Sequence, residues 1–219
     1  MDQNRERQLS RRKFLAGTAV GVAMALDANV KYAEAGPSLA GRDWAKIRGF
    51  NYQPSYGSSG FELWQKFDAA VIDRELWLGR KHFPAINAIR LWLSWDSFLR
   101  NPTRFAGDFD TSLTIAAKHG LAVMPVLFNR WHDAVLDYGG IYIDHFLPKA
   151  SWVQRSGMFD RYMEAIVGGH KDDARILAWD LCNEPYSYNC PRESIPQIVE
   201  AETAWLQSLY KKCKDLGAG

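Results

Sequence analysis

The run Ile176-Leu177-Ala178-Trp179-Asp180-Leu181-Cys182, followed by Asn183-Glu184-Pro185, carries more information than any other stretch of the chain. Its first part reads as a buried strand, and the polar triplet falls where that strand stops. Three similar stretches precede it. Leu121–Phe128 is a continuous apolar run, as expected of a parallel strand covered on both faces. Ala88-Ile89-Arg90-Leu91-Trp92-Leu93 reads as a second buried strand, and Arg48-Gly49-Phe50-Asn51-Tyr52 as a short one that breaks into a Gly/Ser/Pro-rich loop.

Helical patterns alternate with these strands. One is expected over Ile72–His82. Phe109, Leu113, Ala116 and Ala117 mark one face of the next, with Gly120 where a helix C-terminal glycine belongs. Phe159, Tyr162, Met163, Ile166 and Val167 form the stripe of a third. A fourth opens at Ser194-Ile195-Pro196-Gln197, a capping-box arrangement with proline in the first turn. Its stripe runs through Ile198, Trp205, Leu209, Cys213 and Leu216.

Strands alternating with helices predict an α/β protein with a parallel sheet. No Gly-rich phosphate loop follows the first strand, which disfavours the dinucleotide-binding and P-loop folds. The polar and aromatic residues gather instead after each strand: Asn51/Tyr52, Trp95/Asp96, Asn129/His132 and Asn183/Glu184. In a (β/α)8 TIM barrel such strand ends build the active-site face, so the expected fold is four β/α units of a barrel.

The first 35 residues read as an export signal to be set aside from the fold. Ser10-Arg11-Arg12-Lys13-Phe14-Leu15 places paired arginines before the apolar run Phe14–Leu26, about thirteen residues and short for a bilayer span. Ala33-Glu34-Ala35 supplies small residues at the positions a signal peptidase reads. The pattern resembles a bacterial twin-arginine signal, with periplasmic or extracellular delivery; an uncleaved membrane anchor is the competing reading. The net charge of +2 leans on this basic segment, so nothing points to a nucleic-acid surface. Cys182, Cys190 and Cys213 form no CxxC pair and read as free or as at most one bridge. The five histidines show no HxH or HExxH spacing, and no metal or cofactor is expected.

Glu184 is the candidate acid. A carboxylate at the end of a buried strand is costly without a role, and burial raises its pKa toward what a general acid needs near neutrality. Asn183 beside it can hydrogen-bond a sugar hydroxyl. Arg90, within apolar residues, calls for a carboxylate or carbonyl partner, and a purely structural ion pair would satisfy it equally. Asp180 is expected to face a structural partner. Trp95 and Trp131 are candidate platforms for sugar rings, His132 a candidate contact and Tyr52 a further strand-end residue; packing or solvation is the competing reading for each.

With these residues in view, the chain resembles the glycoside hydrolases of clan A, most of all family 5, the cellulase and mannanase family. Gly49-Phe50-Asn51-Tyr52 is similar to the family's first strand and Asn87-Ala88-Ile89-Arg90 to its second. Val123–Phe128 suits the third, and Asn183-Glu184-Pro185 matches the acid/base signature on the fourth. The resemblance implies a retaining hydrolase of β-linked poly- or oligosaccharide, endo-glucanase or mannanase in type. It implies Glu184 as acid/base, Asn183 on the hydroxyl beside the reacting carbon, and Arg90 orienting the nucleophile. That nucleophile would be a second carboxylate about 5 Å away, which the family carries on its seventh strand. Residues 36–219 are expected to be the N-terminal half of such a barrel, cut before the nucleophile and lacking its C-terminal half, against the ~250 residues of a whole one. On that expectation the lone chain is inactive. Glu193, Glu200 and Glu202 fall in or near the fourth helix and are not candidates for the missing group. The alternative is a non-catalytic carbohydrate-binding half-barrel using Trp95, Trp131 and Asn183.

Overall fold

The structure is a computed structural model, and it describes residues 43–130, 141, 145–146, 157–186 and 196–218. The expected signal segment, Trp131, His132, Cys190 and the capping residues Ser194 and Ile195 lie outside the described residues. Four strands form one sheet: β1 (Gly49–Tyr52), β2 (Ala88–Trp92), β3 (Ala122–Asn129) and β4 (Asp180–Asn183), in the order β1-β2-β3-β4. All three pairings are parallel. Sequential order without reversal is that of a β/α barrel, whereas a doubly wound sheet changes direction at a switch point.

Helices fill the connections. Gly60–Gln65 (α1) and Ala69–His82 (α2) link β1 to β2; Trp95–Arg100 (α3) and Pro102–Lys118 (α4) link β2 to β3. Asp160–Ile166 (α5) precedes β4, and Pro196–Asp215 (α6) follows it. The sequence reading found α2, α4, α5 and α6, placed α1 in the loop after the first strand, and assigned nothing to α3. These two are only six residues long, too short for a periodic stripe, and each starts on a serine hydroxyl: Ser59 accepts from the Glu62 amide, and Ser94 from that of Ser97. On α4 the buried residues Phe105, Phe109, Leu113 and Ala116 recur at helical spacing, and the helix ends at Gly120 with φ +69°.

Packing explains a glycine in β1. A Cβ on Gly49 would stand 2.7 Å from the Ala88 carbonyl oxygen, so only glycine lets β1 lie this close to β2. The main core lies between the sheet and the helices, where Phe128 meets Phe159, Tyr162 and Trp205 edge-on.

β4 departs from expectation. The strand read as Ile176–Cys182 begins its ladder only at Asp180, with Ile176 held by a lone bridge to Val123. Since Val126 pairs with Asp180, four residues of the fourth strand run alongside three of the third. The extra residue is a bulge, and it resets which way the following side chains point. Asp180 thereby falls into the row of Val126 and Trp92.

Cys182 and Cys213 are both buried and free. Burial raises both thiols, that of Cys213 to about 11. Among the described residues no helix is long and apolar enough to cross a membrane.

Two outcomes are expected. Phe109, fully buried at the centre of α4, should cost about 3–5 kcal/mol when replaced by alanine, read as a shift in urea unfolding. Iodoacetamide at about pH 8 should leave Cys182 and Cys213 unlabelled in the native protein and modify both after denaturation, as read by peptide mass spectrometry; native labelling would contradict the packing.

Candidate active site

Level parallel strands bring their C-terminal ends together. Asn51 of β1 is in register with Arg90 of β2, and Asn129 of β3 with Asn183 of β4. The Arg90 guanidinium gathers this set. Its Nε and Nη2 donate to Asp180 Oδ2 at 2.8 and 2.7 Å, its Nη1 to Asn51 Oδ1 at 3.0 Å, and its Nη2 also to Asn183 Oδ1 at 3.1 Å. Three strands are thus tied to one rigid fork, a geometry that lysine could not reproduce. The Trp92 ring lies 5.6 Å from the guanidinium carbon, a cation–π contact on the same strand. Arg90 was expected to need a carboxylate or carbonyl and Asp180 a structural partner, and the structure pairs them with each other. The pair remains about one-fifth exposed.

Asn183 is held at both ends of its amide. Oδ1 accepts from Arg90, and Nδ2 donates to Asn129 Oδ1 at 2.8 Å. An amide has two N–H donors, so one stays available to a ligand hydroxyl. Its main chain is held too, for the Arg130 amide donates to the Asn183 carbonyl at 2.9 Å.

Glu184 follows immediately, one residue past the end of β4. Its backbone is left-handed, φ +46°, and that of Tyr186 is too, φ +62°. The turn carries the Glu184 side chain out of the strand line, and it is exposed where the sequence reading expected burial.

Two other expected contacts sit elsewhere. Tyr52 is buried and turned away from the strand-end cluster, its hydroxyl donating to Glu75 Oε2 of α2 at 2.8 Å. Burial and that carboxylate push its phenol well above its ordinary range. Trp95 is also buried, edge-on to Phe159 and His145, and offers no open face to a sugar. The causes differ: alternation along β1 sends Tyr52 to the face opposite Asn51, whereas Trp95 opens α3 and packs into the core with it. Asp96, next to Trp95, is half-buried, and burial lifts its carboxyl above the ordinary value against the pull of His145 and Arg100. At the other end of the sheet, Asp110, His170 and Asp173 lie within 4.8 Å of one another, with Arg175 already bonded to both carboxylates.

The sequence reading passed over Arg130 and Glu202. Arg130 Nε donates to Glu202 Oε1 at 2.8 Å, with both side chains fully buried. A signal existed for Glu202: it falls between Ile198 and Trp205 on the apolar stripe of α6, where an acid needs a cationic partner.

No protein-family model matches the chain. Among curated proteins it is 31% identical over 106 residues to mannan endo-1,4-beta-mannosidase F of Aspergillus clavatus, covering 46% of this chain and 23% of the relative. Mannan endo-1,4-beta-mannosidase A of Emericella nidulans is 29% identical over 104 residues, covering 44% and 26%. The match thus spans about a quarter of the length of these curated relatives. Among solved structures, GH5_18 from Streptomyces cattleya, in complex with GlcNAc, superposes with a TM-score of 0.56 at 18% identity, over 80% of this chain and 43% of that one. The endo-1,4-beta-mannanase from Rhizomucor miehei gives 0.51 at 20% identity, over 78% and 53%. The four β/α units are thus part of a (β/α)8 barrel, and the chain is related to the glycoside hydrolases of family 5 in clan A.

Proposed function

We propose that this chain is part of a retaining glycoside hydrolase acting on β-linked polysaccharide or oligosaccharide of the mannan or glucan type. In this reading Glu184 is the general acid/base. Asn183, braced by Arg90 and Asn129, presents its spare N–H to the hydroxyl beside the reacting carbon. The observation that carries the proposal is this braced asparagine immediately before a carboxylate at the C-terminal ends of parallel barrel strands. The mannan endo-1,4-beta-mannosidase relatives favour mannan among the β-linked substrates.

The mechanism needs a second carboxylate about 5 Å from Glu184 to attack the anomeric carbon while Glu184 protonates the departing oxygen. We assign that nucleophile to a barrel strand outside these four units, with Arg90 orienting it. Water then hydrolyses the glycosyl-enzyme bond as Glu184 takes up the water's proton. The paired arginines and short apolar run near the N-terminus support export through the twin-arginine route, with residues 1–35 as the signal and 36–219 as barrel.

The test is hydrolysis of β-mannan and β-glucan by the full-length gene product and its Glu184→Gln variant. The variant should keep the fold and lower kcat on the polysaccharide by about 10²–10⁴-fold. Wild-type hydrolysis unaffected by the substitution would refute the assignment. Retained binding without any wild-type hydrolysis would make the protein a carbohydrate-binding barrel instead.

A further inference from the structure

Glu184 and Tyr186 both occupy left-handed backbone conformations, at φ +46° and +62°. Non-glycine residues hold such conformations only where their surroundings impose them. Here the main chain is gripped on either side of Glu184. Before it, the Asn183 carbonyl accepts from the Arg130 amide at 2.9 Å. After it, the Tyr186 amide donates to Glu202 Oε1 at 3.1 Å. The same Oε1 accepts from Arg130 Nε at 2.8 Å, so the residue whose main-chain amide makes the first grip is ion-paired with the residue whose carboxylate makes the second. The Tyr186 hydroxyl bonds Thr203 Oγ1 at 2.9 Å, one residue along α6 from Glu202. Arg130 is fixed in turn through Nη1 on the Ile141 carbonyl and by the Phe146 ring, 5.1 Å from its guanidinium carbon.

We infer that Arg130 and Glu202 are positioning residues for Glu184: a buried ion pair that ties the Glu202 carboxylate, which holds the backbone after Glu184, to the residue whose main-chain amide holds it before, and so sets where the Glu184 carboxylate points. Burial of the two side chains, 1% and 0% exposed, is the physical argument. An apolar pair of similar volume would hold a core at least as well, because desolvation offsets the attraction between buried charges. What such a pair cannot do is accept the Tyr186 N–H. The inference rests on the reading of Glu184 as acid/base and extends it to groups that touch no substrate.

The test separates proton donation from folding. A sugar leaving group needs protonation by Glu184, whereas dinitrophenolate departs as the anion without it. In the full-length enzyme, Arg130→Met/Glu202→Leu replaces the pair by neutral side chains. It should lower kcat/KM on β-mannan by about 10²-fold, the scale of a misplaced catalytic group. The same variant should leave kcat/KM on a dinitrophenyl β-mannoside unchanged. Glu202→Gln, which keeps an oxygen for the Tyr186 amide, should fall between the double variant and wild type. It decides the matter by the same split if the double variant does not fold. Equal losses on both substrates, or no loss on mannan, would overturn the inference. Glu184→Ala is the companion control: without a split between the two substrates in that variant, the acid/base reading itself falls. A split there but not in the Arg130 and Glu202 variants sinks the clamp alone.

Discussion

The buried pair of Arg130 and Glu202 joins the end of β3, the turn after β4 and helix α6 through one carboxylate oxygen. Such a pair is poor value as plain stabilisation, since two charges lose their water to gain one another. Its worth is geometric. A guanidinium with defined N–H directions and a carboxylate that also caps a backbone amide leave few alternative arrangements. Through the Tyr186 amide it holds the turn that carries the left-handed residues on either side of Pro185 against α6. Loss of one partner would take a charge-assisted hydrogen bond from the other in a site closed to solvent, where Phe146 and Cys182 are neighbours.

Arg90 works under different conditions. Its partner Asp180 is partly exposed, so water shares the cost of both charges. The fork spends its remaining donors on Asn51 and Asn183, and so orders side chains rather than backbone. The bulge before β4 makes this possible. One added residue between Ile176 and Asp180 places Asp180 in the row of Trp92 and within reach of the guanidinium. A regular ladder would have presented Asp180 to the other face and left Arg90 without its carboxylate. Two arginines, on adjacent strands, thus divide the work of holding one asparagine and the glutamate beside it.

Much of the framework was legible from residue patterns. Apolar runs located all four strands, and the stripe on α4, its closing Gly120 and the buried face of α5 followed from 3.6-residue periodicity. The need of Arg90 for a carboxylate was legible too, because charge in an apolar strand demands a partner. Facing was harder. Tyr52 ends β1 and Trp95 opens the helix after β2, yet their direction depends on which side the helices cover, and both turned into the core. Glu184 shows the reverse. A strand-end position suggested burial, whereas the left-handed turn lifts the residue outward. Glu202 was discounted for lying on a helix, although its place on the apolar stripe already implied a buried cation.

By itself the sequence determined the alternation of strands and helices, the parallel sheet, and the Asn183-Glu184-Pro185 signature at a strand end. These depend on local periodicity and on residues adjacent in the chain, which a linear reading can see. Only the tertiary structure decided that Arg90 reaches Asp180 across 90 positions, and that Arg130 meets Glu202 across 72. It also decided that one extra residue in the fourth strand aims the carboxylate correctly. Such pairings are choices among many possible partners, and they are made by sheet register and by the desolvation cost of every charge left unpaired.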